Sequence, residues 1–220
     1  MNLSRFTGLM DELNRQLKEP LPGPEAQLRM VSLPRIRQMM TGMLPGKPKP
    51  SSVLLLLYPH HDEVYTVFIR RQQYNGVHSG QISLPGGQRE KEDRDAEQTA
   101  LREAHEEIGI DPGRVRILGK LTNLYIPPSN FMVSPFVGYM NVRPVFVIDP
   151  AEVKRTIEVK ISELLLESTI REETFIVRNN LTVTAPAYVI GKEKIWGATA
   201  AIISEFCEVY RRIGQKQEQF

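Results

Sequence analysis

Residues Ser83 to Ile110 read SLPGGQREKEDRDAEQTALREAHEEIGI, and this stretch decides how the whole chain is interpreted. Near its end, Glu103, Glu106 and Glu107 fall within five consecutive residues. Because an α-helix has about 3.6 residues per turn, these three carboxylates are expected to share one helix face. Like charges at that spacing destabilise a helix by roughly a few tenths of a kcal/mol per pair. The sequence therefore indicates a partner that offsets the repulsion.

A hard divalent cation, Mg²⁺ or Mn²⁺, is the expected partner, because both ions prefer oxygen ligands. Such ions neutralise phosphate oxygens and lower the pKa of an attacking water. The turn at Gly86-Gly87 fits this interpretation, since a backbone without side chains can approach an ion or a phosphate closely. Arg102 precedes Glu106 by four residues and is expected to hold that carboxylate in position. The alternative interpretation is a solvated acidic stripe on a surface helix.

Length and composition favour a folded, nearly neutral protein. The 220 residues suit one domain with a terminal extension, and 41% hydrophobic with 25% charged residues is ordinary for a globular chain. The net charge of +2 argues against a nucleic-acid or membrane partner. The single cysteine, Cys207, excludes an intramolecular disulfide, and no apolar run approaches a membrane span. We expect a cytoplasmic protein that is a monomer or a homodimer.

The first 50 residues are expected to form a helical N-terminal extension packed on a core domain of residues 51–220. A helix is predicted from residue 4 to about residue 18, because its apolar residues recur at helical spacing. These residues are Phe6, Leu9, Met10, Leu13 and Leu17. A short helix is predicted around Leu33 to Met40.

The core domain should mix strands and helices. Val53 to Tyr58 and Val64 to Arg70 are predicted to form a hairpin. A helix is predicted over Ala96 to Ile108, with Asp95 as its N-cap and Gly109 ending it. Further strands are predicted in VRILGKLTNLYI (115–126), MVSPFVGYM (132–140), VFVIDP (145–150) and IEVKIS (157–162), a hairpin with its turn at Asn179-Asn180, and a last helix at 198–213. This order favours an α/β fold, a mixed sheet covered by helices on both faces.

The acidic stretch resembles the Nudix hydrolase signature, G-x5-E-x7-R-E-U-x-E-E-x-G-U, where U is aliphatic. REAHEEIGI matches all nine C-terminal positions, with Ala104 at the first U. Asp93 stands where the first glutamate would be, and the interval from Gly87 to Arg102 is one residue longer than the general pattern.

The longer interval is similar to the coenzyme A pyrophosphatase branch of that family. Members carry F-P-G-G, an acidic spacer with D-x-D, and T-A-L-R-E-A-x-E-E. Asp93-Arg94-Asp95 and Thr99 to Ala104 fit this pattern. Upstream, Arg71, His78 and Gly80 match its first parts. The departures fall at Ile69, Gln72, Gly76 and Leu84, and Gly76 replaces an arginine.

The resemblance implies the Nudix α/β/α sandwich and hydrolysis of a nucleoside diphosphate linked to another moiety, X, with Mg²⁺ or Mn²⁺. Coenzyme A would yield 3′,5′-ADP and 4′-phosphopantetheine. The alternatives are another substrate of the family, such as ADP-ribose, NADH or a dinucleoside polyphosphate, or a catalytically inactive Nudix-fold regulator that binds nucleotides.

The resemblance also implies roles for particular residues. The expected metal ligands are Glu103, Glu106, Glu107 and the carbonyl of Gly87. The expected catalytic residues are Glu103, Glu106, Arg102 and Glu152, with the general base open between Glu103 and Glu152. The expected substrate contacts are Arg70, Arg71 and His78. Because Arg70 and Arg71 alternate across a strand, only one of them should face the site.

Overall fold

The structure, a computed structural model, describes residues 1–32, 46–73, 79–177 and 181–215. The α-helices are α1 (Leu3–Gln16), α2 (Pro24–Leu28), α3 (Ala96–Ile108), α4 (Ile161–Leu164) and α5 (Gly197–Gln215). Short 3-10 helices lie at Pro112–Arg114 and Glu167–Thr169. Within the described ranges, no helix combines the length and the apolar character that crossing a membrane requires.

The described strands belong to two sheets. They are β1 (Lys49–His60), β2 (Glu63–Arg71), β3 (Ile82–Ser83), β4 (Gly86–Gln88), β5 (Arg116–Lys120), β6 (Leu124–Ile126), β7 (Phe131–Tyr139), β8 (Val153–Lys160), β9 (Ile170–Val177), β10 (Leu181–Ile190) and β11 (Glu193–Trp196). The larger sheet has the order β3-β2-β1-β7-β5, with β4 beside β1, β6 beside β7 and β8 beside β2. Strands β1 and β7 are parallel, whereas β1 and β2 form the predicted antiparallel hairpin. Strands β9, β10 and β11 form a separate antiparallel sheet.

Strand β1 explains why helices cover both faces of the larger sheet. Its side chains alternate between the faces. Leu54 and Leu56 join the core beneath α3, whereas Leu55 and Leu57 join the core beneath α1 and α5. All four side chains are fully buried. The predicted α/β/α sandwich with a mixed sheet is confirmed.

The prediction of a strand at VFVIDP, residues 145–150, is wrong. Phe146 and Ile148 pack against the core beneath α3, while Val145 is 81% exposed and Val147 is 67% exposed. The N–H groups of Val147 and Asp149 donate to the last two carbonyls of α3, both at 3.1 Å. The segment is extended and alternates like a strand, but its hydrogen bonds satisfy the end of a helix.

The N-terminal residues pack on the core through α1, whose buried side chains include Phe6, Met10 and Leu13. Helix α2, which was not predicted, begins after Gly23. The boundary between residues 50 and 51 stays a prediction. The predicted helix at Leu33 to Met40 and the turn at Asn179-Asn180 lie outside the described residues.

A fully buried carboxylate, Glu205 of α5, joins the N-terminal residues to the rest of the fold. Its Oε1 accepts hydrogen bonds from the N–H groups of Gly23 at 3.3 Å and Thr122 at 3.1 Å. Its Oε2 accepts from the Gln27 side-chain amide at 2.8 Å. One carboxylate therefore fixes the chain before α2, α2 itself and the connection between β5 and β6.

We predict that Glu205→Ala lowers the free energy of unfolding by about 3 kcal/mol, because two buried donors and one partly buried donor lose this acceptor. Urea denaturation followed by circular dichroism measures the change. Glu208→Ala is the matched control on the same helix, since Glu208 forms a salt bridge with Arg29 and the two side chains are 24% and 58% exposed. Its loss should stay below about 1 kcal/mol. Equal losses in the two variants would contradict the role given to Glu205.

Candidate active site

Helix α3 forms with the bounds that its capping residues predict. The Asp95 side chain accepts a hydrogen bond from the N–H of Gln98 at 2.8 Å, and Gly109 ends the helix with a positive φ of 71°. Ala100 and Ala104 are buried against the sheet, so this face anchors the helix. The anchored face fixes the direction in which the clustered glutamates project.

The glycine pair forms a short strand rather than the predicted turn, because Gly86–Gln88 pairs with β1. A Cβ atom on Gly86 would overlap the carbonyl oxygen of Ser52, and one on Gly87 would lie 2.5 Å from the carboxylate of Glu103. The φ of Gly86, 151°, also disfavours other residues. Glycine at position 86 lets this backbone pass close to β1, and a side chain at position 87 would displace the Glu103 carboxylate.

Arg102 organises one half of the carboxylate cluster. Its Nη1 donates to Glu103 at 3.1 Å and to Glu106 at 2.8 Å. Its Nε and Nη2 form a two-pronged pair with Asp93, both at 2.9 Å. Asp93 is buried and also accepts from the Thr99 hydroxyl at 2.9 Å. Because Arg102 hydrogen-bonds to Asp93, the pKa of that carboxyl lies well below its usual range.

Glu107 is the most buried member of the cluster, with 1% of its surface exposed. Its Oε2 accepts from the N–H of Gly86 at 2.8 Å, and its Oε1 faces Arg71 Nη1 at 3.3 Å. Burial raises the pKa of Glu107 to about 8, although Arg71 and the Gly86 N–H oppose the shift. Burial is also the main cause that raises the pKa of Glu103, and the charge of Glu152 contributes to both shifts. The positive groups around Glu103 and Glu107 therefore do not offset the cost of burying two charged carboxylates.

The donor set fits a hard divalent cation. Glu103, Glu107 and the Gly87 carbonyl supply oxygen ligands only, which Mg²⁺ and Mn²⁺ prefer. In the part of the chain that the structure describes, no three acidic, histidine or cysteine side chains converge as a finished ion site. The guanidinium groups of Arg102 and Arg71 donate to Glu103 and Glu107 instead. A bound cation would stabilise the charged form of these carboxyl groups, which burial disfavours.

The other predicted site residues are placed as follows. Arg70 donates to Glu193 at 2.6 Å and to the carbonyl of Gly80 at 2.9 Å, so it is directed away from Glu107. Glu152 is exposed, and its backbone carbonyl accepts from the N–H of Gln72 at 2.8 Å. His78 lies outside the described residues. The functional roles of all the predicted site residues stay predictions.

Three contributors to the site were not among the predicted site residues. Asp93 anchors Arg102, the N–H of Gly86 binds Glu107, and the hydroxyl of Ser51 donates to the Gly87 carbonyl at 2.7 Å. Asp93 was detectable, since it occupies the position of the signature's first glutamate. The contacts of Gly86 and Ser51 depend on the pairing of β1 with β4, for which the sequence carries no separate signal.

Comparison with known proteins agrees with this geometry. The NUDIX domain family matches residues 48–166, which is more than half of the chain. The chain therefore belongs to the Nudix family, and this prediction is confirmed. A Nudix hydrolase from M. smegmatis, RenU, has a similar fold, with a TM-score of 0.52 at 16% identity over 76% of this chain and 88% of that one.

Two relatives extend the comparison. Nudix hydrolase 15, mitochondrial, of Arabidopsis thaliana is 31% identical over 163 residues, 71% of this chain and 57% of that protein. The chain thus spans little more than half the length of this plant relative. The mitochondrial coenzyme A diphosphatase NUDT8 of Mus musculus is 29% identical over 180 residues, 76% of this chain and 82% of that protein.

We predict that the metal-free protein loses stability as the pH rises from about 5 to about 8. The pKa of Glu107 is raised to about 8 from its ordinary value of 4.5, so between these values the folded state holds a proton that the unfolded state has released. The free energy of unfolding then falls by up to about 1.4 kcal/mol per pH unit. Urea denaturation in EDTA at several pH values measures the slope.

Glu107→Gln should flatten this slope, because the amide does not titrate. Glu106→Gln is the control on the same helix, where the side chain is 55% exposed, and it should keep the wild-type slope. A wild-type slope that Glu107→Gln leaves unchanged would show that Glu107 does not hold the proton.

Proposed function

We propose that the protein is a divalent-metal-dependent pyrophosphohydrolase that cleaves a nucleoside diphosphate linked to a second moiety. The observation that carries this proposal is the placement of Glu107, which is buried, and Glu103, which is partly buried, against the strand at Gly86–Gln88; both carboxylates have raised pKa values. When bound, Mg²⁺ or Mn²⁺ neutralises diphosphate oxygens and lowers the pKa of an attacking water.

The metal-binding residues are Glu103, Glu106, Glu107 and the Gly87 carbonyl. Hydrogen bonds already orient these groups: Arg102 holds Glu103 and Glu106, the Gly86 N–H holds Glu107, and the Ser51 hydroxyl holds the Gly87 carbonyl. Arg102 is a positioning residue, because its tie to buried Asp93 fixes it in the protein rather than on a substrate.

We assign the general base to Glu152 and a ligand role to Glu103. Glu103 hydrogen-bonds to Arg102, and its side chain is 14% exposed, which suits a fixed ligand. Glu152 is exposed, and its charge acts on both Glu103 and Glu107, so it lies near the cluster. An accessible carboxylate near the ligands can accept a proton from water and release it to solvent.

Coenzyme A or a derivative is the proposed substrate, with 3′,5′-ADP and 4′-phosphopantetheine as products. The sequence resemblance to the coenzyme A branch supports this choice, as does the similarity to the mouse coenzyme A diphosphatase. Arg71 is the proposed phosphate contact, because it faces Glu107, whereas Arg70 pairs with Glu193. We further propose that the protein acts on a small nucleotide in the cytoplasm as a monomer or a homodimer. No nucleic-acid partner is proposed.

Metal-dependent cleavage should require Glu107. The purified protein is incubated with coenzyme A, ADP-ribose, NADH and diadenosine polyphosphates, each with Mg²⁺ or Mn²⁺, and the products are separated by chromatography. We expect selective cleavage of coenzyme A and a loss on the order of 100-fold or more in Glu107→Gln. Glu97→Gln, on the exposed first turn of α3, should retain wild-type activity.

The outcomes separate the reaction from the substrate. Cleavage of another pyrophosphate would support the proposed reaction and contradict coenzyme A as the substrate. The replacement of the branch's arginine by Gly76 would then be significant. Binding without turnover of any compound would favour the nucleotide-binding regulator.

The assignment of the base has its own test. Glu152→Gln should lower kcat on the order of 100-fold while its Mn²⁺ affinity, measured by calorimetry, stays at the wild-type value. Glu103→Gln should lose Mn²⁺ affinity as well as activity. A wild-type kcat in Glu152→Gln would contradict this assignment and favour Glu103 as the general base.

A further inference from the structure

Arg71 is held less completely than the other guanidinium group of the site. Its Nη1 lies 3.3 Å from Glu107, which is longer than the roughly 2.7–2.9 Å of a strong charge-assisted hydrogen bond. Its Nε–H is buried and has no hydrogen-bond partner among the described residues. By contrast, Arg102 donates from Nε, Nη1 and Nη2. The observed position of Arg71 leaves a buried donor unsatisfied.

Arg71 also occupies a place that a metal ion would need. Oε2 of Glu107 is taken by the N–H of Gly86, and Oε1 faces Arg71. A cation that binds Oε1 would bring a second positive charge against the guanidinium, and like charges repel. The metal and Arg71 therefore compete for the same carboxylate oxygen.

A diphosphate offers Arg71 a better partner than Glu107 does. Phosphate oxygens match the fork of a guanidinium and can accept from Nε and an Nη together. Arg71 ends β2, and the register of β2 with β8 is irregular between Arg70 and Arg71. The side chain thus leaves the sheet at an irregular strand end, with an unused donor and 24% of its surface exposed.

We propose that Arg71 is an exchangeable counter-ion. It contacts Glu107 while no divalent ion is bound, and it moves to the phosphate oxygens of the substrate when an ion binds Glu107. This inference rests on the proposed function, since it requires both the ion and the diphosphate. Arg71 then has opposite effects on two affinities. It weakens binding of the metal ion in the absence of nucleotide, and it strengthens binding of the nucleotide.

Two affinities test the exchange without a turnover assay. Mn²⁺ binding to the full chain is measured by the electron paramagnetic resonance signal of free Mn²⁺, and ADP binding is measured by calorimetry at saturating Mn²⁺. We expect Arg71→Met to bind Mn²⁺ about 10-fold more tightly and ADP on the order of 10-fold or more weakly. Arg71→Lys keeps the positive charge but cannot donate two parallel hydrogen bonds to a phosphate. This variant should retain wild-type Mn²⁺ affinity and bind ADP more weakly.

Arg143→Met is the matched control. Arg143 also pairs with a glutamate, Glu158, through two hydrogen bonds of 2.9 and 2.7 Å, but outside the carboxylate cluster. Its removal should change neither affinity.

Weaker Mn²⁺ binding in Arg71→Met would overturn the exchange, because Arg71 would then be positioning Glu107 for the metal. Unchanged ADP affinity in both Arg71 variants would also overturn it. If Arg71→Met fails to fold, Arg71→Lys still decides, since unchanged ADP affinity there contradicts the exchange. A wild-type protein that binds no Mn²⁺ would instead refute the proposed function.

Discussion

The arrangement of the candidate active site depends on holding carboxyl groups together despite their mutual repulsion. Two arginines donate to these carboxyl groups, Arg102 to Glu103 and Glu106, and Arg71 to Glu107. The rest of the site follows from that constraint. Helix α3 packs closely on the sheet through alanines, the facing strand needs glycine at position 86, and a buried acid, Asp93, fixes Arg102.

Sequence reasoning succeeded where one local signal determines the outcome. Capping residues set the bounds of α3, and two short apolar runs joined by a polar turn indicated the hairpin of β1 with β2. It failed where tertiary contacts decide. The extended segment at residues 145–150 alternates like a strand, but its N–H groups bond to a helix end. Nothing in the sequence distinguishes buried Glu205 from a solvated helix residue. The orientations of Arg70 and Arg71 likewise depend on what packs beside β2.

The segments outside residues 48–166 pack on the family domain through the apolar faces of α1 and α5, and two acidic residues add bonds between elements. Glu193 of β11 accepts from Arg70 of β2 at 2.6 Å and from Arg155 of β8 at 2.5 Å, which joins the smaller sheet to the larger one. Glu205 of α5 performs the corresponding task for the N-terminal residues. Both acids bind more than one element, so each fixes the relative position of the parts that it joins.

The parallel pairing of β1 with β7 has a consequence for folding. The register places Val53 beside Pro135. Strand β1, at the centre of the larger sheet, therefore cannot pair with β7 until that much later segment has been synthesised. Contacts of such long sequence separation slow folding, because the loop entropy is lost before the contact forms. Until then, the leucine run of β1 is an exposed strand edge in the nascent chain and is open to aggregation. The antiparallel hairpin with β2 forms from nearby residues and can shield one edge of β1 early.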